Sequence, residues 1–160
     1  MADYKLRRSL LYVPGNMPSM LQNIPLFQCD AVQIDLEDAV PLAEKDAARI
    51  LVRRFLDNYK QRNKEILVRI NGLDTKWALD DLKMVLPAKP DGIRLPKADS
   101  PEVVEHLDTM LTEYEEELGI EVGHFKILPS IETAEGVLNA PKTARASSRG
   151  ICPRSEEHTS

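Results

Sequence analysis

The run Asp35-Leu-Glu-Asp38 sets three carboxylates within four residues, directly after the apolar stretch that begins at Ala31. Three such groups cannot all point into a core. Gathered at the end of a strand they repel one another, so at least one has a raised pKa or takes a cation as counter-charge. The alternative is acid placement ahead of a helix N-terminus, which the helix dipole favours. Arg69 interrupts the apolar run Ile66-Leu-Val-Arg-Ile70, just before Asn71-Gly72. A guanidinium does not shed its charge, so it needs an anionic partner there. A two-point grip on a substrate carboxylate meets that need, and so does a structural ion pair with Glu37 or Asp38. Glu132 precedes Thr133-Ala-Glu-Gly136. A single carboxylate is a sparse metal site, yet Mg2+ typically uses only one or two, with waters and substrate oxygens completing its shell. The plainer role is an acid at a helix start, which is how Glu135 reads.

Other candidates are weaker. Lys97 has the position of a Schiff-base lysine at a strand end, but Arg94 and Lys97 together read equally well as an anion-attracting rim. His106 lies in a helical pattern and His124 in a loop, neither with a Cys, Ser or Asp at triad-like spacing. Ser9 and Ser130 lack the turn that presents a nucleophilic serine. Trp77 and the methionines read as packing.

The elements that must position these residues alternate regularly. Strands are predicted over residues 9–13, 31–36, 65–70, 92–96 and 126–131, and helices over about 18–27, 41–59, 75–86, 101–118 and 133–146. Pro25 must kink or end the first helix and Pro141 should break the last. Pro41 suits a first helical turn. In the second helix Ala47, Ile50, Leu51 and Phe55 share a face at helical spacing, and in the third Ala78, Leu82, Val85 and Leu86 point inward. Ser100 should cap the fourth helix and Gly119 end it, with Val103, Val104, Leu107, Leu111, Tyr114 and Leu118 buried and Glu115-Glu-Glu117 solvated. Five βα units joined by short connections imply a parallel sheet. The first strand is not followed by G-x-G-x-x-G, which weakens a dinucleotide-binding fold. Ionisable residues gather at the C-terminal ends of three strands, the rim where a (β/α)8 TIM-type barrel builds its active site. The fold class is therefore α/β, a parallel barrel truncated after about five βα units, since a full barrel takes roughly 250 residues.

Composition sets the outer bounds. The chain has 160 residues, 21 Lys+Arg against 26 Asp+Glu, and a net charge of −5. The basic stretches, around Arg7-Arg8 and Arg53-Arg54, are too short to track a phosphate backbone, so nucleic acid is not an expected partner. No apolar run approaches the ~20 residues of a membrane span, and no signal-peptide core is present. Cys29 and Cys152 are far apart, a reduced, cytoplasmic pattern. Residues 1–149 form the expected partial barrel domain. Residues 150–160 are expected to be non-native, because Arg154-Ser-Glu-Glu-His-Thr-Ser160 is the translation of AGA TCG GAA GAG CAC ACG TCT, the opening of a common sequencing adapter.

Arg8-Ser-Leu-Leu-Tyr-Val-Pro-Gly-Asn16, Asp35-Leu-Glu-Asp-Ala-Val40 with Glu44-Lys-Asp-Ala-Ala-Arg49, Val68-Arg-Ile-Asn-Gly72, Arg94-Leu-Pro-Lys97 and Ile131-Glu-Thr-Ala-Glu-Gly-Val137 occur in that order. In this series the chain resembles the citryl-, malyl- and citramalyl-CoA lyase family, to which citrate lyase β subunits belong. The resemblance implies a (β/α)8 barrel and an Mg2+-assisted retro-Claisen cleavage of a 3-hydroxyacyl thioester, in citrate lyase giving acetyl thioester and oxaloacetate. The arginine that binds the oxo-acid carboxylate falls on Arg69, the metal-ligating and substrate-contacting glutamate on Glu132, and the acidic pair near the reaction centre on Glu37 and Asp38. Implied partners are a thioester on acyl-carrier protein or CoA, and other lyase subunits or further copies of the chain. Beyond Arg149 the sequence departs from the family, where a sixth strand ends in a second metal-binding aspartate. The 160-residue chain by itself is therefore expected to be inactive. Two other readings stay open: another Mg2+-dependent oxo-acid aldolase of barrel fold, and a non-catalytic fragment whose open sheet edges associate with other chains.

Overall fold

The computed structural model describes residues 7–59 and 64–149. The expected non-native tail, 150–160, lies outside the described residues. Five strands form one sheet: β1 (Leu10–Pro14), β2 (Ala31–Asp35), β3 (Glu65–Arg69), β4 (Gly92–Leu95) and β5 (Lys126–Pro129). They pair in sequence order and all in parallel, as the βα alternation requires. The connecting helices are α1 (Pro18–Asn23), α2 (Lys45–Asn58), α3 (Ala78–Val85), α4 (Pro101–Glu117) and α5 (Ala134–Thr143), with short 3-10 turns before α2 and after α1 and α3.

Strand alternation divides the sheet into two chemically distinct faces. Val13, Ile34, Val68, Ile93 and Ile127 stand in one register row, and these residues pack into a single core with helix residues such as Leu21, Val52, Leu82 and Leu107. The rows on either side run Tyr12–Gln33–Leu67–Gly92–Lys126 and Pro14–Asp35–Arg69–Arg94–Leu128. Those side chains occupy the opposite face, where a closed barrel has its lumen. The sheet already curls toward that closure. The Arg94 guanidinium lies 5.9 Å from the Tyr12 ring centroid, although their strands stand three spacings apart, about 14 Å on a flat sheet.

Several sequence expectations change in detail. The inner face of α2 is Lys45, Ala48, Arg49, Val52 and Leu56, whereas Ala47 and Ile50 are exposed and Leu51 and Phe55 only half-buried. Lys45 and Arg49 tolerate burial because each finds oxygen acceptors there, so the true stripe includes two cations that an apolar count passes over. In α3, Ala78, Leu82 and Val85 point inward as expected, with Leu86 buried beyond its end. Ser100 occupies the N-cap position of α4 but its side chain makes no capping bond. Gly119 ends that helix at φ +64°, a conformation that suits a residue without Cβ. Pro41 precedes the 3-10 turn instead of opening α2. Pro141 lies inside α5, which ends two residues later, and Thr133 caps its start by accepting from the Gly136 N–H at 3.0 Å.

The largest correction concerns Glu115, expected on a solvated face and found fully buried. Its carboxylate accepts from the backbone N–H groups of Gly123 and Phe125, both at 2.9 Å, and from Arg149 Nη1 at 2.7 Å. Arg149, itself buried, also pairs with Asp108 and donates to Thr112 Oγ1, while its carbonyl accepts from Ile127 N–H at 3.2 Å. A buried acid is tolerated when every donor around it is aimed at it.

Candidate active site

Asp35 and Arg69 are register partners at the C-terminal ends of β2 and β3. Asp35 Oδ1 accepts from Arg69 Nε at 2.8 Å and Oδ2 from Nη2 at 2.6 Å. The same carboxylate accepts the backbone N–H of Glu37 at 2.8 Å and of Ala39 at 3.1 Å, turning the chain sharply after β2. Burial pushes the Asp35 carboxyl up, but these four donors outweigh it and leave it below the usual range. The bonds to Asp35, reinforced by nearby acids, raise Arg69 further above its ordinary value despite burial.

The remaining end of the guanidinium faces the other acids. Arg69 Nη1 lies 3.2 Å from Glu37 Oε2 without hydrogen-bond geometry, and donates to Asp38 Oδ2 at 3.4 Å. Glu37 is largely enclosed, whereas the Asp38 side chain is 79% exposed. Burial, with the negative charge of Asp38, pushes Glu37 up to about 7; Arg69 opposes this and the carboxylates of Glu132 and Asp35 add to it. Glu132 therefore lies within electrostatic reach of Glu37, on the exposed loop between β5 and α5.

A second layer fixes the loop that carries Glu37. Lys45 Nζ donates to the carbonyls of Leu36 and Glu37, both at 2.7 Å, and Asn71 Nδ2 donates to Leu36 O at 3.0 Å. Asn71 is held in turn by Asp81 Oδ2, at 2.9 Å from its N–H and 2.6 Å from Nδ2. Arg49 Nε completes the chain at 3.1 Å from Asp81 Oδ1. Gly15 lets β1 approach this turn: its N–H meets Asp35 O at 2.8 Å, and a Cβ there would fall 2.8 Å from the same oxygen.

The structure thus brings Glu37, Asp38 and Arg69 into contact, with Glu132 near Glu37 but not in direct contact with Arg69. Arg69 does find a structural ion pair, and its strongest partner is Asp35, not Glu37 or Asp38. The edge formed by Nε and Nη2 is committed to Asp35, which leaves the Nη1–Nη2 edge for an incoming anion. Sequence reasoning passed over the supports Lys45, Asn71, Asp81 and Arg49. Their signal was a pair of cations, Lys45 and Arg49, at helical spacing with Ala48 and Val52. Among the described residues no group of three or more Asp, Glu, His or Cys side chains converges closely enough to enclose a metal. The donor set suits a hard cation that keeps waters and substrate oxygens, because it consists of carboxylates with one nearly enclosed Glu37 oxygen lacking a hydrogen-bond donor. Neither large surface groove, of about 550 Å3 between α1 and α2 and about 410 Å3 between α3 and α4, is lined by these residues.

A parallel β/α sheet that gathers acids around an arginine at its strands' C-terminal ends has the arrangement of the catalytic rim of a (β/α)8 barrel. The chain belongs to the HpcH/HpaI aldolase/citrate lyase family, whose model matches residues 8–152. It is 42% identical to the citrate lyase subunit beta of Leuconostoc mesenteroides over 99% of its own length and 53% of that protein. It is 33% identical to a (3S)-malyl-CoA thioesterase of Cereibacter sphaeroides, over 86% of this chain and 44% of the relative. Among solved structures, the Mycobacterium tuberculosis citrate lyase beta subunit in complex with oxaloacetate and magnesium superposes with a TM-score of 0.68 at 26% identity, covering 89% of this chain and 54% of that one. The chain spans about half the length of the curated citrate lyase relatives it matches.

Proposed function

We propose that the chain forms the first half of a carbon–carbon lyase subunit that cleaves citryl thioester to acetyl thioester and oxaloacetate. The observation that carries this reading is the contact of Arg69 with Glu37 and Asp38 at the strand ends, with Glu132 close enough to raise Glu37. The relatives named citrate lyase subunit beta, and the similar structure holding oxaloacetate and magnesium, support the same reaction class. The carrier would be acyl-carrier protein or CoA, the companions other lyase subunits or further copies of the chain, and the compartment the cytoplasm.

Each residue has a distinct part in this reading. The Nη1–Nη2 edge of Arg69 takes the oxo-acid carboxylate, displacing the exposed Asp38 that Nη1 holds at 3.4 Å. Glu37, whose carboxyl is pushed up to about 7, takes the proton of the substrate hydroxyl in its ionised form. The C–C bond then breaks, the hydroxyl oxygen becomes the ketone, and the electron pair passes to the thioester α-carbon. That carbon takes up a proton, which Glu37 returns directly or by way of Asp38, giving acetyl thioester. Glu132 would ligate Mg2+, which when bound offsets the negative charge on the reacting oxygens.

The test supplies the half of the relatives' length that this chain does not cover and assays oxaloacetate release. Cleavage should require Mg2+. Arg69→Lys should impair substrate use, because an ammonium cannot reproduce a planar two-point grip. Glu132→Gln should weaken metal dependence and rate. The 160-residue chain alone should show no turnover even in millimolar Mg2+, since β1 and β5 are both edge strands among the described residues and the pocket stays open to water. Full activity in Arg69→Lys would overturn the assignment of the carboxylate-binding residue.

A further inference from the structure

Arg94 is the register partner of Arg69 on the next strand and stands in the same row of the lumen face. The two arginines are not in the same electrostatic condition. Arg69 meets Asp35, Glu37 and Asp38, whereas Arg94 has no carboxylate partner among the described residues. Its Nε donates to Ser130 Oγ at 2.6 Å, a neutral acceptor on a buried residue, and its guanidinium lies over the Tyr12 ring. A half-buried guanidinium that cannot lose its charge is held here by a hydroxyl and an aromatic face alone. Its Nη atoms have no bonded acceptor among the described residues. The acid excess of the site lies on the β2 side, at Asp35, Glu37 and Asp38, and the uncompensated positive charge lies on the β4 side.

Resting on the lyase reading above, we infer that Arg94, steadied by Ser130 and Tyr12, binds the second carboxylate of a four-carbon oxo-acid unit and so selects citryl over malyl thioesters. Neighbouring strands are about 4.8 Å apart. The carboxyl carbons of a four-carbon dicarboxylate are separated by three bonds of about 1.5 Å each, roughly 4 Å when extended. The spacing of the two strands is therefore comparable to the length of a dicarboxylate, which would set Arg69 at the oxo-acid end and Arg94 at the distal end. Cleavage of a malyl thioester yields a two-carbon oxo acid with only one carboxylate, which leaves Arg94 without a partner. A site that buries an unmatched charge discriminates against the ligand lacking the matching group.

The experiment measures binding to the 160-residue chain by calorimetry in millimolar Mg2+, comparing oxaloacetate, with two carboxylates, and pyruvate, with one. The unsubstituted chain should bind oxaloacetate at least about tenfold more tightly, the yield of one charge-assisted hydrogen bond. Arg94→Met should remove that preference while leaving pyruvate binding within twofold, and Arg94→Lys should retain part of it. Ser130→Ala should weaken oxaloacetate alone, and this change of one hydroxyl guards against a folding defect in the arginine variants. Equal affinity for the two acids, or an Arg94→Met chain that keeps its preference, would overturn the inference while leaving the lyase reading intact. If neither acid bound, this inference would fail, whereas the lyase reading is decided separately by oxaloacetate release once the relatives' remaining length is supplied. Arg69→Lys separates the two sites further, because it should weaken both acids together.

Discussion

Asp35 holds Arg69 by two parallel hydrogen bonds, of 2.8 and 2.6 Å, from a carboxylate that is almost wholly buried. The pair joins β2 to β3 at the level where the chemistry would occur, so the arginine is aimed before any ligand arrives. Removing the carboxylate strands the guanidinium and releases the N–H groups of Glu37 and Ala39 as well. Asp35→Asn should therefore cost about 3 kcal/mol or more of stability, read from urea unfolding. A loss below about 1 kcal/mol would mean that the pair is replaced by solvent at little cost.

Glu37 gives stability a defined pH dependence. Its carboxyl titrates near 4.5 in an ordinary setting and is pushed up to about 7 in the fold by burial and the neighbouring acids. Between those values the native state binds more protons than the unfolded chain, so this group's contribution falls as pH rises. The cost is absent below about 4.5 and fully present above 7. Glu37→Gln should gain stability relative to the unsubstituted chain at pH 8 and lose that gain by pH 4. A stability difference that stays constant between those two pH values would contradict the assignment.

Glu115 and Glu116 are adjacent and should behave oppositely. Glu115 is fully buried and accepts three donors, so Glu115→Ala leaves Arg149 Nη1 and two backbone N–H groups without their acceptor. The expected loss is about 3 kcal/mol or more. Glu116 is exposed, and Glu116→Ala should change stability by less than about 0.5 kcal/mol. Thermal melts of the two variants side by side decide the matter.

Lys45 grips two carbonyls of the loop after β2 through one ammonium group. Lys45→Met preserves the buried stem and removes the donors, leaving Asn71 as the remaining side-chain donor to Leu36 O. Amide exchange at Ala39 and Val40 should quicken while exchange in β4 stays unchanged, and global stability should fall by about 1–3 kcal/mol. Unchanged exchange at those two amides would show that the turn holds itself.

The existence and order of the ten elements were legible in the sequence because each depends on a local pattern. Short apolar runs mark the strands, 3.6-residue spacing marks the helices, and Pro, Gly and Asn-Gly mark many of their ends. Parallel pairing follows almost by necessity from alternation with short connections. The acids after β2, with Arg69 and Glu132, were visible as ionisable groups placed where apolar strands stop. Their family motifs then gave an expected chemistry.

What the sequence by itself did not determine was which charge meets which. Asp35 pairs with Arg69 because parallel register sets the last residues of β2 and β3 side by side on one face, a relation between positions 34 residues apart. Glu115 is buried because the segment after α4 and Arg149 return over it, although its neighbours in sequence mark a solvated face. The inner face of α2 includes Lys45 and Arg49 because distant oxygens receive them. Arg94 meets Tyr12 across two intervening strands, a contact between positions 82 residues apart. Burial of a charge is decided by the partners around it in space, and those partners are set by register and curvature, which no local pattern encodes.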